Sequence, residues 1–126
     1  MAGSDSEVLV VEDDRDINEL IGAYVELAGY RYRSAYDGES AFSYLKAGPS
    51  KLIILDVMLP GLTGYDICKG LKLEPAWKEI PVVFLTALSR EEDRLRAKAL
   101  GAAGFMVKPF NPEELLATLK RLLPRA

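Results

Sequence analysis

Four short apolar runs in this sequence are each followed by polar residues that could together bind a phosphate group. The acids Glu12–Asp14 follow the first run, a lone Asp56 the second, Thr86 the third and Lys108 the fourth. Carboxylates brought close together raise each other's pKa, and a divalent cation removes that conflict. Oxygen ligands suit Mg²⁺, which keeps several waters and accepts phosphate oxygens. With an ammonium and a hydroxyl added, the set could position and neutralise a phosphoryl group, which is most of what phosphoryl transfer needs.

Asp56 is the candidate acceptor, because a carboxylate can attack phosphorus and hold an acyl phosphate. Read singly, however, each residue also has an ordinary structural role. One acid of the group at 13–16 could cap a helix, and Asp56 could belong to a turn. Thr86 could bond to backbone, and Lys108 could be a surface lysine. The functional interpretation therefore depends on all four features meeting at one place.

The apolar runs predict the strands that would bring these groups together. Four runs are short and mostly aliphatic, which is typical of strands buried on both faces: Val8–Val11, Leu52–Leu55, Val82–Leu85 and Phe105–Val107. Tyr30–Ala35 alternates with arginines and predicts an edge strand. In an open parallel sheet, ligands bind beyond the carboxyl ends of the strands, where all four polar features would lie.

Helical patterns separate the predicted strands. The first has an apolar stripe that Gly29 follows: Ile17, Leu20, Ile21, Tyr24, Leu27 and Ala28. The others begin at Asp37, near Ile67, at a capping box from Ser89 to Glu92, and at Asn111-Pro112. Five strand–helix units predict an α/β domain in three layers, with helices on both faces of a five-stranded parallel sheet.

Composition excludes several classes of protein. The 126 residues are 49% hydrophobic and 28% charged, with a net charge of −3, which fits one globular domain and argues against binding nucleic acid directly. Without histidine there is no histidine-based triad, and a single cysteine forms no intrachain disulfide. No apolar run is long enough for a membrane span, and residues 1–6 do not resemble a signal peptide, so we expect a cytoplasmic protein.

We expect a flexible segment over residues 1–6 and one domain over residues 7–126. The fifth helix should finish near residue 123, which leaves no room in this sequence for an output domain. Whether the sequence is a whole single-domain protein or part of a longer one stays open at this point.

Four segments together resemble one protein family: VLVVEDD at 8–14, LIILDVMLPGLTG at 52–64, VVFLTA at 82–87 and GFMVKPF at 104–110. The sequence is similar to the receiver domain of bacterial two-component response regulators from residue 7 to about residue 123. The resemblance implies a flavodoxin-like (βα)5 fold. It also implies the strand order 2-1-3-4-5 that flavodoxin shares with the chemotaxis member of this family.

The resemblance assigns roles to the acids. Asp56 corresponds to the phosphoacceptor, and Asp13 to a direct ligand of Mg²⁺. Glu12, which replaces the more frequent aspartate, would act on the metal largely through water. Met58 would contribute its backbone carbonyl, so the implied metal site comprises Glu12, Asp13, Asp56 and Met58.

The resemblance also assigns the groups that respond to phosphorylation. Thr86 and Lys108 would bind phosphoryl oxygens, and the small Ala87 would leave room for the phosphodonor. The peptide between Lys108 and Pro109 is cis in the family, which proline makes accessible in energy. Phe105 matches the aromatic switch position, which turns inward as Thr86 moves toward the phosphoryl group.

The implied partners follow from the same resemblance. A histidine kinase or a histidine phosphotransfer protein would supply phosphohistidine, which fits the absence of histidine here. Phosphorylation would repack the face formed by helix four, strand five and helix five, which an effector or a second copy of the chain would read. The domain would be no enzyme beyond catalysing its own phosphorylation and dephosphorylation.

Some positions depart from the family pattern. Phe105 lacks the hydroxyl of the frequent tyrosine, and GAAGF at 101–105 lacks two acids common in the DNA-binding subfamily, which weakens the case for that subfamily's ion-paired dimer. Met58 and Leu88 flank the site with apolar side chains where other members carry acid or amide groups. We therefore expect slow self-dephosphorylation.

Three other functions compete with this interpretation. The first is a receiver fold that binds partners without phosphorylation, against which the complete polar set argues. The second is an aspartate-nucleophile phosphatase, but Met58 stands where its second acid should be. The third is a flavin-binding protein of the same topology, whose phosphate would be repelled by Glu12–Asp14.

Overall fold

Strands and helices alternate along the whole of the chain that the computed structural model describes, residues 7–48 and 50–123. The strands are β1 (Val8–Val11), β2 (Tyr32–Ala35), β3 (Leu52–Leu55), β4 (Val82–Thr86) and β5 (Gly104–Val107). The helices are α1 (Arg15–Leu27), α2 (Gly38–Ala47), α3 (Gly64–Leu73), α4 (Glu91–Ala99) and α5 (Pro112–Leu122). Within these ranges, no helix combines the length and the apolar character that crossing a membrane would require. The segment expected to be flexible, residues 1–6, lies outside the described residues.

All five strands are parallel and lie in the order β2-β1-β3-β4-β5, which confirms the expected fold class and strand order. At the carboxyl end of the sheet, Val11 lies opposite both Ala35 and Leu55. Thr86 lies opposite Val107 in the same way. Each chain segment that leaves a strand here therefore starts at the same edge of the sheet.

Alternate strand residues enter two separate apolar cores, because successive side chains of a strand point to opposite faces. Leu9 and Val11 pack on the side of the sheet that α2, α3 and α4 cover. Val8 and Val10 pack on the side that α1 and α5 cover. The three-layer arrangement explains why the runs of β1, β3 and β4 are apolar at every position rather than at every second one.

Side chains at the helix N-termini satisfy backbone donors much as the sequence predicts. Asp14 caps α1 by accepting a hydrogen bond from the Ile17 N–H at 3.1 Å. Asp37 does the same for α2, and Asn111 for α5. At the other end of α1, Gly29 adopts a φ of 96°, a left-handed conformation that glycine enters without steric penalty. These caps fix where the loops at the edge of the sheet begin and end.

The capping box predicted for the fourth helix is wrong by one residue. The helix starts at Glu91, and the Asp93 carboxylate, rather than Glu92, accepts the hydrogen bond from the Arg90 N–H at 3.3 Å. Asp93 is buried, and its carboxylate lies 3.4 Å from the hydroxyl of Tyr65 on α3. A contact with another helix therefore favours this acid over its equally acidic neighbour.

The buried face of α1 also differs from the predicted stripe. Leu20 and Leu27 are 49% and 77% exposed, whereas the buried residues are Asn18, Ile21, Gly22 and Val25. The reason is the ring of Tyr32 on β2, since a Cβ atom added at Gly22 would lie 2.1 Å from its Cζ atom. The helix therefore turns its glycine toward the sheet, and this rotation carries Asn18 into the interior.

Candidate functional site

Three carboxylates meet at the carboxyl edge of the sheet. Glu12 and Asp13 leave β1, and Asp56 leaves the neighbouring strand β3. One carboxylate oxygen from each residue lies within 4.8 Å of those of the other two. Glu12 and Asp56 are only 2% and 5% exposed, while Asp13 faces solvent. The structure thus brings together the acids that the sequence proposed, in a cluster that is open on one side.

Lys108, which follows the edge strand β5, bonds to two of these acids. Its Nζ donates a hydrogen bond to Oδ2 of Asp56 at 2.8 Å and another to Oε1 of Glu12. Its backbone N–H donates to the carbonyl of Thr86 at 2.8 Å, and the peptide between Lys108 and Pro109 is cis. Lys108 is therefore no surface lysine: its side chain is 17% exposed and is directed into the acidic cluster.

The protonation of the cluster follows from its burial. Desolvation raises the pKa of Glu12 to about 7, and the charge of Asp56 adds to this, although hydrogen bonds from Lys108 and the Asp14 N–H oppose it. For Lys108, burial by itself lowers the pKa, but the hydrogen bonds to Asp56 and Glu12 outweigh it and hold the pKa above its usual value. The cluster thus contains three acids and one ammonium, and a second cation would favour the charged forms of the acids.

A residue that the sequence reasoning missed fixes the loop carrying two of the acids. The amide nitrogen of Asn18 on α1 lies 3.0 Å from the carbonyl oxygen of Glu12, 3.2 Å from that of Ala35 and 3.3 Å from that of Val10. The Ser34 hydroxyl donates to its amide oxygen. The sequence did contain a signal for this residue. Asn18, Ile21, Gly22 and Val25 follow the i, i+3, i+4, i+7 spacing of a buried helix face, and Asn18 is the polar member of that face.

The loop after β3 closes tightly around Asp56. The Met58 N–H donates to Oδ1 of Asp56 at 3.1 Å, and the Gly64 N–H donates to the carbonyl of Val57 at 2.8 Å. The Met58 side chain is 60% exposed, so its backbone rather than its side chain contacts the acid. The role of its carbonyl as a metal ligand stays a prediction.

The remaining candidate residues lie on β4, on β5 and just after β4. Thr86 is fully buried, and its hydroxyl accepts a hydrogen bond from the Leu88 N–H at 3.3 Å, the backbone partner that a strand-end threonine often finds. Ala87 is exposed. Phe105 is half-buried, with its ring centroid 6.4 Å from that of Phe84. Their roles in binding or sensing a phosphoryl group stay predictions.

The donor set of the cluster fits a hard divalent cation. It supplies carboxylate oxygens only, and the sequence contains no histidine that could add a nitrogen ligand. Mg²⁺ and Ca²⁺ prefer such oxygens, whereas Zn²⁺ and Cu²⁺ favour nitrogen and sulfur. The residues present are therefore suited to the Mg²⁺ that the sequence proposed.

The family model for the response regulator receiver domain matches residues 8–120. The chain belongs to the response regulator receiver domain family. It is 42% identical to the phosphate regulon transcriptional regulatory protein PhoB of Escherichia coli strain K12. The aligned 118 residues cover 94% of this chain and 52% of PhoB. It is 39% identical to the transcriptional regulatory protein GltR of Pseudomonas aeruginosa. The aligned 126 residues cover 100% of this chain and 52% of GltR. The receiver domain thus spans about half the length of these two relatives.

Solved structures of receiver domains share its fold. The chemotaxis protein CheY4 of Vibrio cholerae superposes with a TM-score of 0.87 and 36% sequence identity, covering 95% of this chain and 100% of that one. A putative response regulator from Chloroflexus aurantiacus gives a TM-score of 0.89 at 33% identity, covering 97% of this chain and 100% of that one. These likenesses confirm the family and the fold that the sequence motifs indicated.

Proposed function

We propose that this receiver domain accepts a phosphoryl group on Asp56 from the phosphohistidine of a histidine kinase or a histidine phosphotransfer protein. The observation that carries the proposal is the convergence of Glu12, Asp13, Asp56 and Lys108 at one edge of the sheet. Structural roles such as caps and turns explain single residues of this set, but they do not require a half-buried lysine between two buried acids.

The acids would hold Mg²⁺, with Asp13 as a direct ligand, Glu12 acting through water, and Asp56 and the Met58 carbonyl completing the protein's share. When bound, the ion supplies positive charge that offsets the repulsion between these carboxylates and an incoming phosphate. Asp13 is the exposed acid of the cluster, so both would enter from its side.

The transfer itself requires little of the protein beyond position and charge. A carboxylate oxygen of Asp56 attacks phosphorus while the bond from phosphorus to the donor's imidazole nitrogen breaks, and that nitrogen keeps the electron pair. Lys108 already lies 2.8 Å from Asp56, and its raised pKa keeps it an ammonium at neutral pH. It is therefore placed to bind a phosphoryl oxygen as soon as the aspartyl phosphate forms.

The new group carries nearly two negative charges, which would draw donors toward it. The Thr86 hydroxyl would exchange its contact with the Leu88 N–H for a phosphoryl oxygen, and Phe105 would turn inward. Helix α4 is suited to move, because only two of its residues, Asp93 and Ala97, are buried against the rest of the domain. An effector or a second copy would then read the face of α4, β5 and α5.

The domain would act in the cytoplasm without binding nucleic acid or membrane directly. It would catalyse its own phosphorylation and dephosphorylation and no other reaction.

Phosphorylation by acetyl phosphate or by candidate kinases tests the proposal, with the product resolved by intact-protein mass spectrometry. Wild type should gain one phosphoryl group in Mg²⁺ and none in EDTA, whereas Asp56→Asn should gain none. Asp16→Asn, which changes an exposed acid of α1, is the matched control and should behave as wild type. Incorporation into Asp56→Asn equal to that of wild type would refute the role of Asp56. Unchanged incorporation in EDTA would refute the role of Mg²⁺.

A further inference from the structure

We propose that Asn18 is a positioning residue for the metal and phosphoryl site, acting through the backbone of the loop that carries Glu12 and Asp13. The inference rests on the proposed function, since it concerns how the acids of that site are held. Asn18 does not belong to the acidic cluster, because its amide bonds to backbone carbonyl oxygens and not to the carboxylates.

The amide joins the ends of two strands to α1. Its nitrogen donates toward the carbonyls of Val10 and Glu12, which lie at the end of β1 and just after it, and toward Ala35, the last residue of β2. The Ala35 carbonyl also accepts the Glu12 N–H at 3.0 Å. Glu12 is thus bonded through its own N–H and through its carbonyl at the point where the chain leaves the sheet.

These contacts complement those that hold the Glu12 side chain. The carboxylate is fixed by Lys108 and by the Asp14 N–H, the latter at 3.1 Å. Asn18 bonds to the backbone carbonyl, so both the side chain and the backbone of Glu12 are restrained. A loop restrained in this way presents its acids in a geometry that needs little reordering when a cation binds.

The burial of Asn18 supports a specific role over simple packing. It is 0% exposed on a helix face whose other buried members are apolar or glycine. An apolar residue of similar size would fill this space, whereas a buried amide is tolerated only because its hydrogen bonds are satisfied. Residues that orient ligands from behind typically change metal affinity about 10-fold to 100-fold when they are replaced.

Calorimetric titration with Mg²⁺ tests the proposal on wild type, Asn18→Ala and Asn18→Leu. Leucine matches the amide in shape without its donors, so it provides a folded variant if alanine leaves a cavity that the domain does not tolerate. Val25→Ala is the control, because Val25 is fully buried on the same helix face but packs in the apolar core. We expect the Kd for Mg²⁺ to rise roughly 10-fold to 100-fold in the Asn18 variants. Val25→Ala should lose stability in urea and keep the wild-type Kd.

Phosphorylation by acetyl phosphate separates positioning from general damage. The Asn18 variants should be slow at low Mg²⁺ and recover most of the wild-type rate at saturating Mg²⁺, because the acids themselves remain. A Kd equal to that of wild type in Asn18→Leu would overturn the proposal for Asn18 while leaving the proposed function intact. A wild-type domain that binds no Mg²⁺ would overturn both.

Discussion

Gly64, the first residue of α3, lies against the backbone that carries Asp56. A Cβ atom at this position would lie 2.1 Å from the carbonyl oxygen of Asp56 and 2.8 Å from the Cα atom of Val57. Both contacts are with backbone, so no side-chain rotation relieves them. The same residue donates its N–H to the carbonyl of Val57. Gly64→Ala should therefore push the Asp56 loop away from the helix.

Gly70 of the same helix provides the matched control. A Cβ atom there would lie 3.3 Å from the tip of the Phe42 ring, which can move by the few tenths of an ångström required. Alanine in a helix interior is more favourable than glycine by about 0.5–1 kcal/mol. Gly70→Ala should therefore be neutral or slightly stabilising.

The expected difference is large enough to measure by urea or thermal unfolding. Overpacking against a fixed neighbour destabilises by roughly 1–3 kcal/mol. At about 4 °C per kcal/mol for a domain of this size, Gly64→Ala should lower Tm by roughly 4–12 °C. It should also slow phosphorylation by acetyl phosphate, because Asp56 moves with its loop. Equal Tm values for Gly64→Ala and Gly70→Ala would refute this account of the close approach.

Three further predictions concern the site and the core. Mg²⁺ at 100 times its Kd should raise the free energy of unfolding by about 2.7 kcal/mol, as measured by urea titrations with and without EDTA. Asp13→Asn should lose most of this gain, and an equal gain in the variant would contradict the role of Asp13 as a ligand. Asparagine at Met58 or Leu88 should speed loss of the aspartyl phosphate, followed by mass spectrometry over time, and unchanged decay would count against the expected slow dephosphorylation. Burial raises the pKa of the Cys68 thiol, so a disulfide reagent at neutral pH should label it far more slowly in the folded domain than in urea; equal rates would show that Cys68 is accessible.

Local patterns were sufficient for the number and order of the elements and for the edge where the site lies. The runs beginning at Val8 and Leu52 are strands with the predicted limits, because a strand buried on both faces must be apolar at every position. The caps at Asp37 and Asn111 were equally predictable, since a capping side chain bonds to backbone only two or three residues away. Together they indicated which polar residues leave the sheet at its carboxyl end.

Contacts between distant segments decided what the patterns left open. The strand order came from the resemblance to a family, because nothing local places β1 between β2 and β3. The rotation of α1 depends on the ring of Tyr32, and the start of α4 on the contact between Asp93 and Tyr65. A period of apolar residues gives the width of a helix face but not the shape of the surface it meets.

The site shows the same division. The residue types alone show which groups are present and hence the chemistry they suit: four acids, a threonine and a lysine follow four separate strands. The hydrogen bonds from Lys108 to Glu12 and Asp56, and those from Asn18 to the loop that follows β1, depend instead on the packing of the fold. Such hydrogen bonds join residues far apart in the chain, so their partners are fixed by how the strands and helices pack and not by spacing along the sequence.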